Sequence, residues 1–288
     1  MKTNKIMLFA AATLLPLCAS ADSSHKGAHK TVSDKVIAKQ RSALAKSTKG
    51  QGFGPQSPRD IDSLLGENNR AFSESPAFKE MNLCNIHFHK NAEHKGGEFT
   101  EYAGHGDGKG FETGFKYSGE LSQSELKPFG KQIGASKHGN LYPGDTIEVH
   151  YVHSTAKIEP GPTLGACLSD AIGNPQLRVE TQVYVIVNDK NALDFNTLTQ
   201  HKVVDGYHQA INIPTNTGAP VQYEGSTTGP SYNEKGSPFQ VSWSVRPKVA
   251  KVDIRTVGKW LEGNTFNEDH GHGVRNLVMN PKLLSEIK

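Results

Sequence analysis

The sequence has few cysteines, little excess of either charge, and no long apolar run beyond its first residues. After the N-terminal stretch 6–18, no segment reaches the apolar length needed to span a bilayer, so no membrane insertion is expected once that stretch is removed. The 32 basic and 29 acidic residues nearly balance, which argues against a nucleic-acid partner. No internal repeat or low-complexity tract is visible, so a repeat architecture is not expected.

The N-terminal residues have the pattern of an export signal. Lys2 and Lys5 precede the apolar run 6–18, and Ala19-Ser20-Ala21 provides the small residues of a signal-peptidase site. The pattern predicts a signal peptide over 1–21 and a periplasmic or secreted protein. Removal of that peptide would lower the formal net charge from +3 to +1, because it takes away two lysines and no acid.

The rest of the chain divides into a polar arm and one large domain. Residues 22–50 are rich in Lys, Ser, Ala and His, with one short helix predicted over 33–46. From 51 to 288, short apolar alternations separated by Gly, Pro, Asn and Asp indicate strands. They are predicted over 83–89, 146–152, 177–187, 239–245 and 249–257. The expected fold is mainly β, a single domain on a large twisted, mostly antiparallel sheet with few short helices.

Histidines spaced two residues apart indicate a metal site. Side chains alternate faces along a strand, so His87 and His89 point to the same side. The segment Glu148-Val149-His150 has the same period and could supply a third imidazole from a neighbouring strand. Three neutral ligands leave one tetrahedral position open for water, which is typical of catalytic rather than structural zinc. The sequence therefore predicts a metal site of the catalytic-zinc type at His87 and His89, with His150 as a candidate for the third ligand, in which Co²⁺ or Cd²⁺ could substitute for Zn²⁺.

Such a site needs groups that orient its water and its ligands. Zinc held by three imidazoles lowers the pKa of its water to about 7 and yields a hydroxide nucleophile. A hydroxyl side chain anchored by a carboxylate can direct that hydroxide; Thr227 and Thr228 are the candidates for the hydroxyl, and Glu93 is the candidate for the carboxylate. Glu148 is placed to accept a ring N–H from a liganding histidine.

Two cysteines remain after removal of the signal peptide, and they allow two interpretations. Cys84 and Cys167 form an even pair in a compartment that permits oxidation, which predicts a disulfide. Alternatively, Cys84 joins the metal site as a thiolate. Strand alternation places Cys84 on the face opposite His87 and His89, and this favours the disulfide.

Four segments occur in an order that carries a family resemblance. They are Gln56-Ser57-Pro58-Arg59-Asp60-Ile61, His87-Phe88-His89 with Glu93-His94, Glu148-Val149-His150-Tyr151-Val152-His153, and Gly225-Ser226-Thr227-Thr228-Gly229-Pro230 followed by Ser242-Trp243. Together they resemble motifs of the carbonic anhydrases, most closely the delta class and, through shared motifs, the alpha class. The resemblance implies an alpha-class-like sheet and an enzyme that hydrates carbon dioxide reversibly to bicarbonate, a carbonate dehydratase acting on a small molecule.

The resemblance also implies roles for individual residues. His87, His89 and His150 would hold the zinc, Thr227 would orient the hydroxide, and Glu93 would accept the threonine proton. Glu148 would be the partner of His150, and an apolar pocket for the gas would be lined by Val152, Val183 and Trp243. The loop lacks the leucine of the alpha-class pattern, so Thr228 is an alternative to Thr227. No proton shuttle can be assigned by motif, and an oligomer is left open.

Two other functions compete with this one. A cupin-type metalloenzyme would use His87, His89, Glu93 and His150 as a four-ligand set. A non-catalytic periplasmic metal-binding protein would find further histidines in His270-Gly271-His272 and in the N-terminal arm. The glycines around His270 and His272 indicate a loop, and the pair is interpreted as structural or incidental.

Overall fold

The structure is a computed structural model that describes residues 31–48, 73–227, 232–234 and 239–274. The predicted signal peptide and the Gln-Ser-Pro segment at 56–61 lie outside these residues. The helices are α1 Asp34–Thr48, α2 Phe195–Leu198 and α3 Ile254–Leu261, with short 3₁₀ helices at Phe78–Glu80 and Leu164–Cys167. The strands are β1 Asn82–Lys90, β2 Glu101–His105, β3 Thr113–Lys116, β4 Ile133–Ser136, β5 Gly139–Leu141, β6 Thr146–Ser154, β7 Leu177–Val187, β8 His201–Val204, β9 Tyr207–Ala210, β10 Val221–Ser226, β11 Gln240–Val245 and β12 Ala250–Asp253.

One six-stranded sheet organises the fold. Its order is β1-β6-β7-β11-β10, and β12 also pairs with β7. The β1–β6, β6–β7 and β10–β11 pairs are antiparallel, whereas β11 and β12 run parallel to β7, so the sheet is mixed. Three two-stranded sheets, β2–β3, β4–β5 and β8–β9, complete the strands of the described part. The prediction of a mainly β domain with few short helices is confirmed.

Both faces of the large sheet are covered by packed side chains. One face contributes Ile86, Phe88, Val149 and Tyr151 to what we call the far core, which packs against α2 and α3. The other face contributes to the site-side core, which includes Val152, Val179, Val183, Val241 and Trp243. β6 and β7 are buried along their whole length. The β6 residues between the two cores are therefore shielded from water.

The predicted strand 249–257 is wrong in its second half. Strand β12 ends at Asp253, and α3 begins at the next residue. The Asp253 side chain accepts a hydrogen bond from the backbone N–H of Arg255 at 3.1 Å, which caps the helix. Ile254, Val257 and Leu261 then lie on one buried helical face at spacings of three and four. The alternating apolar pattern is shared by the strand and the helix start, so it did not reveal the boundary.

The part of the predicted arm that the structure describes contains the expected helix and packs on the domain. Ile37 and Leu44 of α1 are buried. Gln40 Nε2 donates to the carbonyl of Gly108 at 2.7 Å, so the helix is held on the loop between β2 and β3. Among the residues described, no helix is both long and apolar enough to cross a membrane.

Candidate metal centre

Three imidazoles converge where β1 meets β6. In the antiparallel register, His87 lies opposite His150 and His89 lies opposite Glu148. Residues directly opposite in a ladder point to the same face, so the three histidines share one side of the sheet. One ligand nitrogen from each of His87, His89 and His150 falls within a group whose members are all within 4.8 Å of one another. His89 and His150 are buried, and His87 is half-buried.

The second nitrogen of two of these rings is held by a neighbouring side chain. His150 Nε2 lies 2.8 Å from Glu148 Oε1, and His87 Nδ1 lies 2.7 Å from Asn85 Oδ1. A carboxylate can only accept, so His150 is protonated on Nε2 and presents Nδ1 to the centre. If Asn85 accepts from His87 in the same way, His87 presents Nε2. Outer partners of this kind fix the tautomer and orientation of metal-ligating histidines.

The ring of the third histidine, His89, has Glu93 as its neighbour, four residues further along the chain. Glu93 Oε2 lies 3.4 Å from His89 Nδ1, and both side chains are almost fully buried. The carboxylate of Glu93 also belongs to a second compact group, with His94 and Glu148. That group shares no member with the three-histidine group, so the geometry favours Glu93 as a neighbour of the histidines over a fourth ligand of the cupin type.

Within this second group, Glu148 makes hydrogen bonds to both of the other residues. Its Oε2 accepts the backbone N–H of Glu93 at 3.0 Å, and its Oε1 lies 2.9 Å from His94 Nδ1. Burial alone would raise the pKa of Glu148, but the charge of His94 and the hydrogen bonds from His150 and His94 outweigh it and hold that pKa below its usual value. The pKa of His94 is raised by the Glu148 charge in spite of burial. A carboxylate is thus maintained beside His150.

His94 is anchored on its other side as well. Its Nε2 lies 2.6 Å from the hydroxyl of Tyr223, whose pKa burial raises well above the usual value. The ring of Tyr223 stacks on Trp243, with centroids 6.1 Å apart. Because His94 is only 1% exposed, it braces Glu148 from inside the fold and does not reach the cavity.

A cavity of about 230 Å³ opens over the three histidines. Its apolar wall includes Val152, Leu177, Val179, Val241 and Trp243, and its polar residues include Glu93, Thr227, Glu268, Asp269 and His270. Val152 and Trp243, both expected in a substrate pocket, are therefore lining residues. Val183 is not among the described lining residues. It lies opposite Glu148 in the ladder and is fully buried in the site-side core. Thr228, the alternative to Thr227, lies outside the described residues.

The segment around His272 was not expected at the site. The backbone N–H of His272 donates to the carbonyl of Phe88 at 2.9 Å, and its carbonyl accepts from Lys90 N–H at 3.0 Å, so the segment extends the sheet beyond β1. The His272 ring stacks on His87 with centroids 5.2 Å apart, and its Nε2 lies 2.6 Å from Glu268 Oε2. The His-x-His spacing was the available signal, but the flanking glycines are typical of a loop and favour a structural or incidental interpretation of the pair.

The cysteines form the expected bond, although the alternation argument was wrong. Cys84 and Cys167 are joined by a disulfide. The β1–β6 register shifts between Leu83 and Asn85, which marks a bulge. Cys84 consequently packs in the site-side core with Val152, on the same side as the histidines. Its sulfur is unavailable as a metal ligand because it is bonded, not because it faces away.

Comparison with known protein families agrees with this geometry. The family model described as Delta carbonic anhydrase matches residues 78–256, which is more than half of the chain. The matched range contains the three histidines, Glu93, Glu148 and Thr227. No curated protein matches the sequence significantly.

Proposed function

The chain belongs to the delta carbonic anhydrase family, and from this premise we propose that it catalyses the reversible hydration of carbon dioxide to bicarbonate on Zn²⁺. The observation that carries the proposal is the three-histidine group on two paired strands, at the base of a cavity. An enzyme of the carbonate dehydratase kind follows from the family. The metal, its ligands His87, His89 and His150, and the residue roles below are our proposal.

The donor set fits this ion. Three imidazoles suit Zn²⁺, and also Co²⁺ or Cd²⁺, better than they suit the oxygen-preferring Mg²⁺ or Ca²⁺. Glu148 and Asn85 hold the outer nitrogens of His150 and His87, as expected for rings that bind a metal through the inner nitrogen. Zn²⁺ bound there would lower the pKa of its water to about 7 and so supply a nucleophile near neutral pH.

Residues that line the cavity are proposed to orient the attacking water and to bind carbon dioxide. We assign to the Thr227 hydroxyl the orientation of the attacking water, and to Glu93 the acceptance of the threonine hydrogen bond. Both residues line the cavity, and Glu93 is only 4% exposed, so its carboxylate is shielded from competing bulk water. Val152, Val179 and Trp243 offer an apolar wall against which carbon dioxide can wait without displacing strongly held water.

The test is stopped-flow carbon dioxide hydration by the zinc-loaded full chain. We expect wild type to exceed the buffer rate, His150→Ala to lose both zinc and activity, and Glu93→Ala to keep zinc but turn over more slowly. His105→Ala, on the separate β2–β3 sheet and outside the cavity lining, is the matched control and should behave as wild type. A metal-replete wild type with no hydration above buffer would refute the proposal. Release of zinc by Glu93→Ala would instead favour the cupin-type ligand set.

We further propose that the enzyme works in the periplasm or outside the cell. The export-like pattern of residues 1–21 supports this, and the Cys84–Cys167 disulfide suits an oxidising compartment. Carbon dioxide and bicarbonate are the small-molecule partners that the family implies. Fractionation of cells that express the full chain, followed by N-terminal sequencing of the processed protein, would test the location.

A further inference from the structure

The bulge in β1 places two consecutive residues on the side of the metal centre. Cys84 packs in the site-side core, and Asn85, the next residue, lines the cavity. In a regular strand the two would point to opposite faces. The bulge therefore brings the disulfide and a neighbour of His87 together.

The segment 161–167, which follows β6, is fastened to β1 at both ends and also to β6 at its Cys167 end. At one end, Gly161 N–H donates to the Cys84 carbonyl at 2.9 Å. At the other end, Cys167 is bonded to Cys84, and its carbonyl accepts the Ser154 hydroxyl at 2.6 Å. Pro162, Thr163 and Leu164, between these ends, form part of the cavity wall. The disulfide is the one covalent tie among these contacts.

Asn85 connects this segment to a proposed metal ligand. Its Nδ2 donates to the Gly161 carbonyl at 3.0 Å, and its Oδ1 lies 2.7 Å from His87 Nδ1. The amide nitrogen can only donate, so the bond to Gly161 determines that the oxygen faces His87. Asn85 is 1% exposed, so water does not readily replace either partner. The orientation of the His87 ring thus depends on where the segment 161–167 lies.

We propose that the Cys84–Cys167 disulfide is a positioning element of the metal centre, acting through Gly161 and Asn85, and that metal affinity is therefore sensitive to thiol redox state. The inference rests on the proposed function because it takes His87 as a ligand. Without the disulfide, the segment 161–167 gains conformational freedom, the Gly161 carbonyl moves, and the Asn85 amide can rotate. His87 then loses the acceptor that fixes its tautomer. Loss of such outer partners typically weakens metal binding about 10- to 100-fold.

The first experiment measures the dissociation constant for Zn²⁺ of the full chain by competition with a chromophoric chelator. Wild type is compared with the double variant Cys84→Ser/Cys167→Ser, in which neither sulfur of the disulfide is left to become a new thiolate ligand. It is also compared with wild type reduced by a water-soluble phosphine. In that reaction the S–S bond breaks, each sulfur gains a proton and an electron, and phosphorus takes oxygen from water to become the phosphine oxide. We expect the dissociation constant to rise about 10- to 100-fold in both cases.

The second experiment tests the path through Asn85. Asn85→Ala should weaken Zn²⁺ binding by itself, and adding the two serine substitutions should then change the dissociation constant by less than about threefold, since the link is already broken. Asn85→Asp keeps an acceptor for His87 but loses the donor to Gly161. With the disulfide intact it should bind Zn²⁺ more tightly than Asn85→Ala, and removal of the disulfide should no longer affect it. The visible spectrum of bound Co²⁺ should change in the same way in Asn85→Ala and in the double serine variant.

Three outcomes would overturn the inference. The first is an unchanged dissociation constant in the folded double serine variant, or in reduced wild type if that variant does not fold. The second is an equal loss on disulfide removal in wild type and in the Asn85→Ala background, which would indicate general destabilisation. The third is tighter binding after reduction, which would indicate a thiolate ligand. His87→Ala separates the two proposals: unchanged affinity in that variant refutes the metal centre itself, whereas weakened affinity with no disulfide effect refutes only this inference.

Discussion

Glu148 and His150 lie on the same face of β6, and the carboxylate oxygen Oε1 is 2.8 Å from the ring nitrogen Nε2. The same oxygen also lies 2.9 Å from His94 Nδ1. One carboxylate therefore orients a proposed ligand and is itself held in place by a second, fully buried imidazole. The sharing of Oε1 makes the position of His150 depend on residues that do not reach the cavity.

The first prediction concerns the charge of Glu148. Glu148→Gln keeps an oxygen acceptor but removes the negative charge that favours donation from His150. We expect the dissociation constant for Zn²⁺ to rise about 10- to 100-fold, as is typical for an outer partner of a liganding histidine. Chelator competition measures it. Glu101→Gln, an exposed residue on β2, is the control and should bind Zn²⁺ as wild type does. Equal affinities for Glu148→Gln and Glu101→Gln would contradict the prediction.

Much of the centre follows from local periodicity. The two-residue period of His87 and His89 and of Glu148 and His150 specifies which side chains share a face, because alternation is a property of the strand backbone. The lengths of β1, β6 and β7 agree with their apolar runs to within two residues. These features need no knowledge of distant contacts, and for that reason the sequence could predict them.

The rest depends on contacts between distant parts of the chain. The bulge at Leu83 and Asn85 arises from the pairing with β6, so the face of Cys84 could not be read from β1 alone. His272 reaches the site only because its backbone pairs with Phe88 and Lys90. Val183 was expected in the pocket from the family resemblance, and an apolar strand residue fits a core position as well as it fits a cavity wall.

The second prediction concerns metal removal. If the three histidines are brought together in the folded chain and not in the unfolded one, Zn²⁺ stabilises the fold by mass action. Free Zn²⁺ at 100 times its dissociation constant should raise the free energy of unfolding by about 2.7 kcal/mol. Urea unfolding with Zn²⁺ and with a chelator measures the difference. In His150→Ala, Zn²⁺ should raise the free energy of unfolding only slightly. An increase as large as that in wild type would show that Zn²⁺ binds elsewhere.

The third prediction separates a cavity residue from a core residue. Val152 lines the cavity, so Val152→Phe should obstruct its apolar end and lower kcat/KM for carbon dioxide hydration about tenfold or more, while Zn²⁺ affinity changes little. Val183→Ala removes buried volume away from the cavity. It should lower the free energy of unfolding by roughly 2 kcal/mol and leave kcat/KM within about threefold of wild type. Stopped-flow kinetics and urea unfolding of both variants provide the comparison, and the reverse pattern would show that Val183 forms the pocket.

The fourth prediction concerns pH and His153, which lies on the opposite face of β6 from His150. Burial, together with the nearby charge of Arg178, lowers the pKa of His153 to about 3, although its Nδ1 lies 3.0 Å from the Tyr151 carbonyl. Between pH 6.5 and 3 the unfolded chain therefore binds a proton at this residue that the folded chain does not, so stability is complete above pH 6.5 and falls as the pH is lowered. At pH 5 the loss should be about 2 kcal/mol.

His153→Gln keeps an N–H donor for the Tyr151 carbonyl but does not titrate. Between pH 7 and pH 5 its free energy of unfolding should therefore fall by about 2 kcal/mol less than that of wild type. Urea unfolding at the two pH values measures this, and identical decreases in the two proteins would show that His153 becomes protonated without cost to the fold.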